Sequence, residues 1–153
     1  MLNFQELEDQ WEMLCKTIRT KRSAGQVIVI RAPHAASDNP WQIANQLVIS
    51  TGWILPPEWT AIDRDTAVAI LAECLHHDLA YHVELQPRPS AEAQATAIVD
   101  TVGSDALFFT NGSLAIPNVQ DRSWNSITTA TFDTGVIAIG RRWGILCWFL
   151  DED

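Results

Sequence analysis

The stretch ECLHHDLAYH, residues 73–82, is the densest group in this chain of side chains that ligate metals or move protons. Cys74, His76, His77, Asp78 and His82 offer a thiol, three imidazoles and a carboxylate, which is raw material for a metal site or an acid–base pair. Neighbouring residues leave a helix roughly 100° apart, so His76 and His77 face different ways and do not readily share one ion. Cys74 and His77 are three apart, the minimum for a thiolate–imidazole pair, but Cys74 belongs to an apolar helical stripe where a thiol is buried and inert. His34, in RAPHAASDNP, lies in a loop after a strand without a defined partner. G-x-G-x-x-G after a strand, G-x-x-x-x-G-K-[ST], H-E-x-x-H and G-x-S-x-G are all absent. The expectation is a protein that is not an enzyme, with no catalytic residue, no metal ligand and no cofactor, whose histidines are solvated groups at a helix end.

Tryptophan carries more information. There are seven, against one tyrosine and five phenylalanines, in the residue type most enriched at binding hot spots. Trp11, Trp41 and Trp148 fit apolar stripes, and Trp143 opens an apolar strand. Trp53 and Trp59 flank Leu55-Pro56-Pro57-Glu58 in a loop that the Pro-Pro pair keeps from forming helix or central strand. They are the candidates for exposed anchors.

The elements that position these groups follow from periodicity. NFQELEDQWEMLCKTIRTKR repeats apolar residues every three or four positions, with acids early and bases late, which predicts an amphipathic helix. QVIVIRA reads as a strand inside a sheet covered on two sides. Asp38 or Asn39 caps a second helix with Pro40 in its first turn, and Asp63 caps a third running to about Leu79. AYHVELQ alternates like a strand, and Ser90 to Gly103 reads as a fourth helix. ALFFTNGSLAI carries a hairpin signal at Asn111-Gly112, and TTATFDTGVIAIG and WGILCWFL are strands joined by a tight turn near Gly140-Arg141-Arg142. The fold class predicted is α+β: one domain over 1–153, about four helices on a mixed, mainly antiparallel sheet with a C-terminal β-hairpin. In the last strand Trp143, Ile145, Cys147 and Phe149 point one way and Leu146, Trp148 and Leu150 the other, so both faces are expected to be covered.

Composition bounds the function. Nineteen acids against ten bases give a net charge of -9, a field that repels nucleic acid and anionic membranes and attracts basic proteins. Three cysteines, far apart and each in apolar sequence, fit buried free thiols in a reducing compartment. MLNFQELEDQ lacks the basic start and apolar run of a secretory signal, so a cytoplasmic protein is expected.

Two stretches, AVAILAECLHHDLAYH and WNSITTATFDTGVIAIGRRWGILCWFLDED, together about a third of the chain, resemble the small acidic immunity proteins of bacterial polymorphic toxin systems. The resemblance implies a compact α+β domain that binds and neutralises a cognate toxin and has no catalytic residue. An acidic inhibitor of a cationic toxin that acts in the cytoplasm gains on-rate from opposite potential. Trp53 and Trp59 would then be the anchors, with Glu58, Asp121, Asp133, Asp151, Glu152 and Asp153 as rim charge. Two alternatives stay open: a housekeeping or regulatory protein-interaction domain, and a small enzyme using the His76 to His82 region. Oligomeric state is not readable.

Overall fold

The computed structural model describes residues 3–35 and 38–153. In chain order the elements are α1 (Phe4–Lys21), β1 (Gln26–Pro33), α2 (Pro40–Ile49), β2 (Thr60–Ile62), α3 (Arg64–His76), α4 (Arg88–Asp100), β3 (Leu107–Thr110), β4 (Phe132–Ile139) and β5 (Trp143–Asp151). The strands form one sheet in the order β1-β5-β4-β3-β2, and every pairing is antiparallel. The α+β class, the four helices and the β4–β5 hairpin are as the sequence predicts; the sheet is antiparallel throughout rather than mixed.

Alternation along β5 organises the core. Ile145, Cys147 and Phe149 join Ile18 of α1, Ile70, Leu71 and Leu75 of α3 and Ile98 of α4 on one face. Leu146 and Trp148 meet Ile43, Leu47 and Val48 of α2, together with Trp59, on the other. Full burial of each such large side chain contributes about 1.5–3 kcal/mol, so β5, an interior strand, is firmly anchored on both faces. β4 and β5 approach closely at Gly135, where a Cβ would run into the Cys147 carbonyl and the Trp148 ring.

Helix starts follow local chemistry. Asn3 and Glu6 form a reciprocal capping box on α1, Asn39 caps α2, and Asp63 caps α3 through the Thr66 N–H. α4 begins at Arg88, ahead of the expected Ser90, because Pro89 fits a first turn where no N–H is needed; the Ser90 hydroxyl donates to Gln86 instead.

Three sequence expectations need correction. β1 is covered on both faces but is an edge strand, since only β5 pairs with it. AYHVELQ is not a strand: the Asp78 carboxylate accepts the N–H groups of Tyr81 (2.7 Å) and Val83 (2.5 Å), which curls the backbone into a tight loop. Asn111-Gly112 is no hairpin turn, because the Asn111 amide is drawn inward to donate to the Asn125 and Asp133 carbonyls, both at 3.0 Å. A short strand, β2, follows Trp59 where the sequence raises no strand expectation; it is only three residues long and gains its pairing from β3. Among the described residues no helix is long and apolar enough to cross a membrane.

Candidate functional site

Register gathers the predicted binding residues. Pairing of Thr60 with Thr110, Phe132 with Asp151 and Gln26 with Leu150 brings the Trp53–Trp59 loop, the connection after β3 that holds Asp121, the start of β4 and the C-terminal tail to one end of the sheet. Burial then divides them. Trp59 is core, only 8% exposed, with its indole N–H donating to Asn45 Oδ1 (2.8 Å) and its ring edge-on to Trp148. Trp53 is half-buried and packs against the same cluster. The apolar groups that face water are Ile54 (70% exposed) and Leu55 (39%), with Ile49 (59%) just before the loop. The Ile54 N–H donates to the Ile127 carbonyl (2.9 Å), and the Thr51 hydroxyl donates to the Val48 carbonyl while accepting the Trp53 N–H, so the loop is tied at its base and near its tip. Trp59 as an exposed anchor is therefore wrong: a bulky indole next to β2 gains more by filling the space over Trp148.

The acids divide in the same way. Glu58, Asp121, Glu152 and Asp153 are exposed, and Glu152 accepts the Thr131 hydroxyl at 2.6 Å. Asp133 and Asp151 are not rim charge. Asp133 is fully buried, and its carboxylate accepts from Ile127 N–H (3.2 Å), Thr128 N–H (3.3 Å), Thr128 hydroxyl (3.0 Å) and the Trp148 indole (3.1 Å). Asp151 makes a two-pronged ion pair with Arg22 at 2.8 and 2.6 Å and also accepts the Leu79 N–H at 2.7 Å. Each is buried because enough donors converge on it to replace water.

At the same end of the fold, the loop closed by Asp78 turns His82 back onto the end of α3. The His77 and His82 rings stack at 3.9 Å, His77 Nδ1 lies 2.8 Å from Glu73 Oε1, and His82 Nδ1 lies 3.7 Å from the same oxygen. Burial pushes the Glu73 carboxyl up, but the hydrogen bonds from His77 and Arg88 outweigh it and hold its pKa below the usual glutamate range. Asp78 balances alike: burial raises it, and the N–H groups of Tyr81 and Val83 bring it below its ordinary value. Contrary to the sequence expectation, His76 neither diverges from His77 nor is solvated: it is buried, its ring lies 3.9 Å from that of His77 at a tilt of 50°, and its Nδ1 meets the Gln86 carbonyl at 2.7 Å. The expectation that no histidines converge is corrected, since His77 and His82 do so with Glu73. Glu73, four residues before His77 on one helix, was the legible signal for that pairing.

His34 bridges two carbonyls, those of Ala35 and Gly140, both at 2.8 Å. It borders a groove of about 810 Å³ at the opposite end of the sheet, between α1, α4 and the end of β1. There Arg31 is sandwiched between the rings of Trp11 (4.8 Å) and Trp143 (4.7 Å) and pairs with Glu8. Phe4 and Leu7, read as part of the stripe on α1, stay exposed along its rim. The polar lining mixes Arg31 and Arg142 with Glu8 and Asp100 and so presents no single sign of charge.

The three cysteines are buried free thiols. Desolvation raises all three, Cys147 to about 12 and Cys74 beyond that. No labelling by a thiol reagent is expected in the native protein at pH 8, with all three reacting once it unfolds in denaturant; rapid native labelling would refute the assignment. Since the folded thiol pKa values lie above the unfolded ones, the thiols' contribution to stability is fully present below about pH 9 and is lost as pH rises from there toward 12. No protein-family model, no curated protein and no solved structure matches this chain.

Proposed function

We propose that this chain is an inhibitor of the toxin-immunity kind, which binds a basic, cytoplasm-acting protein toxin with the end of the sheet that carries the Trp53–Trp59 loop. The observation that carries the reading is the placement of Ile54 and Leu55: exposed apolar side chains on a tied loop, at the sheet end where Glu58, Asp121, Glu152 and Asp153 reach water. A pre-ordered apolar anchor keeps the entropic cost of docking low, and an acidic fringe on a chain of net charge -9 speeds encounter with a cationic surface. The exposed aliphatic pair thus takes the role that the sequence alone assigned to two tryptophans.

Capture of a basic protein encoded next to this chain, followed by binding kinetics at two salt concentrations, tests the reading. Replacing Asp121, Glu152 and Asp153 together with their amides is expected to slow association several-fold and flatten its salt dependence, because rim charges act through the on-rate. Ile54→Ala and Leu55→Ala are expected to speed dissociation roughly tenfold, about 1.4 kcal/mol, with little change in on-rate. A partner that is neutral or acidic would favour a regulatory interaction domain, and a basic partner indifferent to both sets of substitutions would move the site elsewhere.

A further inference from the structure

We propose that Glu73, His77 and His82 form a binding site for a divalent transition-metal ion of the zinc class. One ligand atom from each residue lies within 4.8 Å of the others, so a single ion is within reach of all three once the stacked imidazole of His82 turns toward it. In a tetrahedral zinc site, bonds of about 2.0–2.1 Å put neighbouring ligand atoms roughly 3.3–3.5 Å apart. The two separations to Glu73 Oε1, 2.8 and 3.7 Å, bracket that value. The His82 side chain is 70% exposed, so its rotation onto an ion requires no movement of the core.

Three further features suit the site to a metal. His82 has a left-handed backbone, φ 59°, an uncommon conformation for a residue with a side chain, and it is this conformation that folds the imidazole over His77. Arg88 holds Glu73 by Oε2 (3.3 Å) and leaves Oε1 turned to the imidazoles, the kind of outer contact that fixes a ligating carboxylate. A cavity of about 230 Å³, lined by Glu73, His77, His82 and by Asp78, Leu114 and Arg122, opens beside the three donors and has room for a water or a partner's side chain as fourth ligand. Two imidazoles and one carboxylate select borderline ions over calcium or magnesium, which prefer all-oxygen shells. This assignment is independent of the partner proposed above.

The test is calorimetric titration of the chelator-washed full chain with Zn²⁺, with Co²⁺ absorption reporting the coordination. One equivalent of zinc bound at micromolar or better affinity is expected, with a tetrahedral cobalt band. His82→Gly removes a ligand while keeping the turn, because glycine adopts positive φ freely, so the variant stays folded by its denaturation midpoint. Zinc affinity of His82→Gly and of His77→Ala is expected to fall at least tenfold, whereas His34→Ala, at the other end of the sheet, binds as the parent does. Binding weaker than millimolar, or a loss below tenfold in either ligand variant, overturns the proposal.

Discussion

Arg22→Ala is expected to destabilise the protein by about 3–5 kcal/mol, read as a lowered urea midpoint with unchanged slope. The Arg22 side chain is fully buried, and besides the ion pair its Nε donates to the Cys74 carbonyl and an Nη to the Ala24 carbonyl, both at 2.7 Å. It thereby joins the C-terminus of α1, the last turn of α3 and the end of β5, while its guanidinium lies 5.0 Å from the Phe149 ring centre. Truncation leaves the Asp151 carboxylate buried without its counter-charge, and that stranded charge dominates the loss. Gly25 belongs to the same device: its φ of 59° and its lack of a Cβ let the α1–β1 turn pass against the Asp151 carboxylate. Replacing both partners, Arg22→Met with Asp151→Leu, should recover much of the loss, since a buried pair is often matched by apolar groups of similar volume. If Arg22→Ala costs less than about 1 kcal/mol, taken as the midpoint shift times the slope, the pair is solvated and Asp151 returns to the surface charges.

The second large effect is at Asp133. Removing its carboxylate by Asp133→Ala takes the acceptor from the buried Ile127 N–H and the Trp148 indole N–H, and from the part-buried Thr128 N–H and hydroxyl. At about 1–3 kcal/mol for each buried donor left unpaired, a loss of several kcal/mol is expected. Asp133→Asn keeps one acceptor oxygen and should retain part of it. Trp148 emission offers a local readout, because its indole loses a charged hydrogen-bond acceptor. An Asp133→Ala variant of parental stability would show that water reaches these donors. Neither Asp133 nor Asp151 is expected to alter partner association in a folded variant, which separates them from Glu58, Asp121, Glu152 and Asp153.

By itself the sequence determined the helices and the hairpin. α1 and α3 repeat at 3.6 residues between an Asn or Asp cap and a polar stop, and β5 alternates two apolar faces for eight residues, so local chemistry and burial agree there. The net charge and the isolation of the cysteines were equally legible, being sums and spacings. Tertiary structure decided which charges and aromatics are surface. Asp133, Asp151 and Arg22 look like ordinary solvated residues until partners from elsewhere in the chain replace their water: Thr128 and Trp148, 5 and 15 residues from Asp133, Leu79, 72 residues from Asp151, and Arg22 and Asp151 for each other across 129 residues. The partners of β1 and β2 also depend on non-local pairing, and no pattern within either strand distinguishes an edge from an interior position. The Glu73–His77–His82 cluster falls between the two cases. Its first pair is a helical spacing, and its third member arrives only because Asp78 captures two N–H groups and turns the backbone at His82 to positive φ. Spacing alone encodes contacts within an element, whereas contacts between elements depend on which surfaces the whole fold buries.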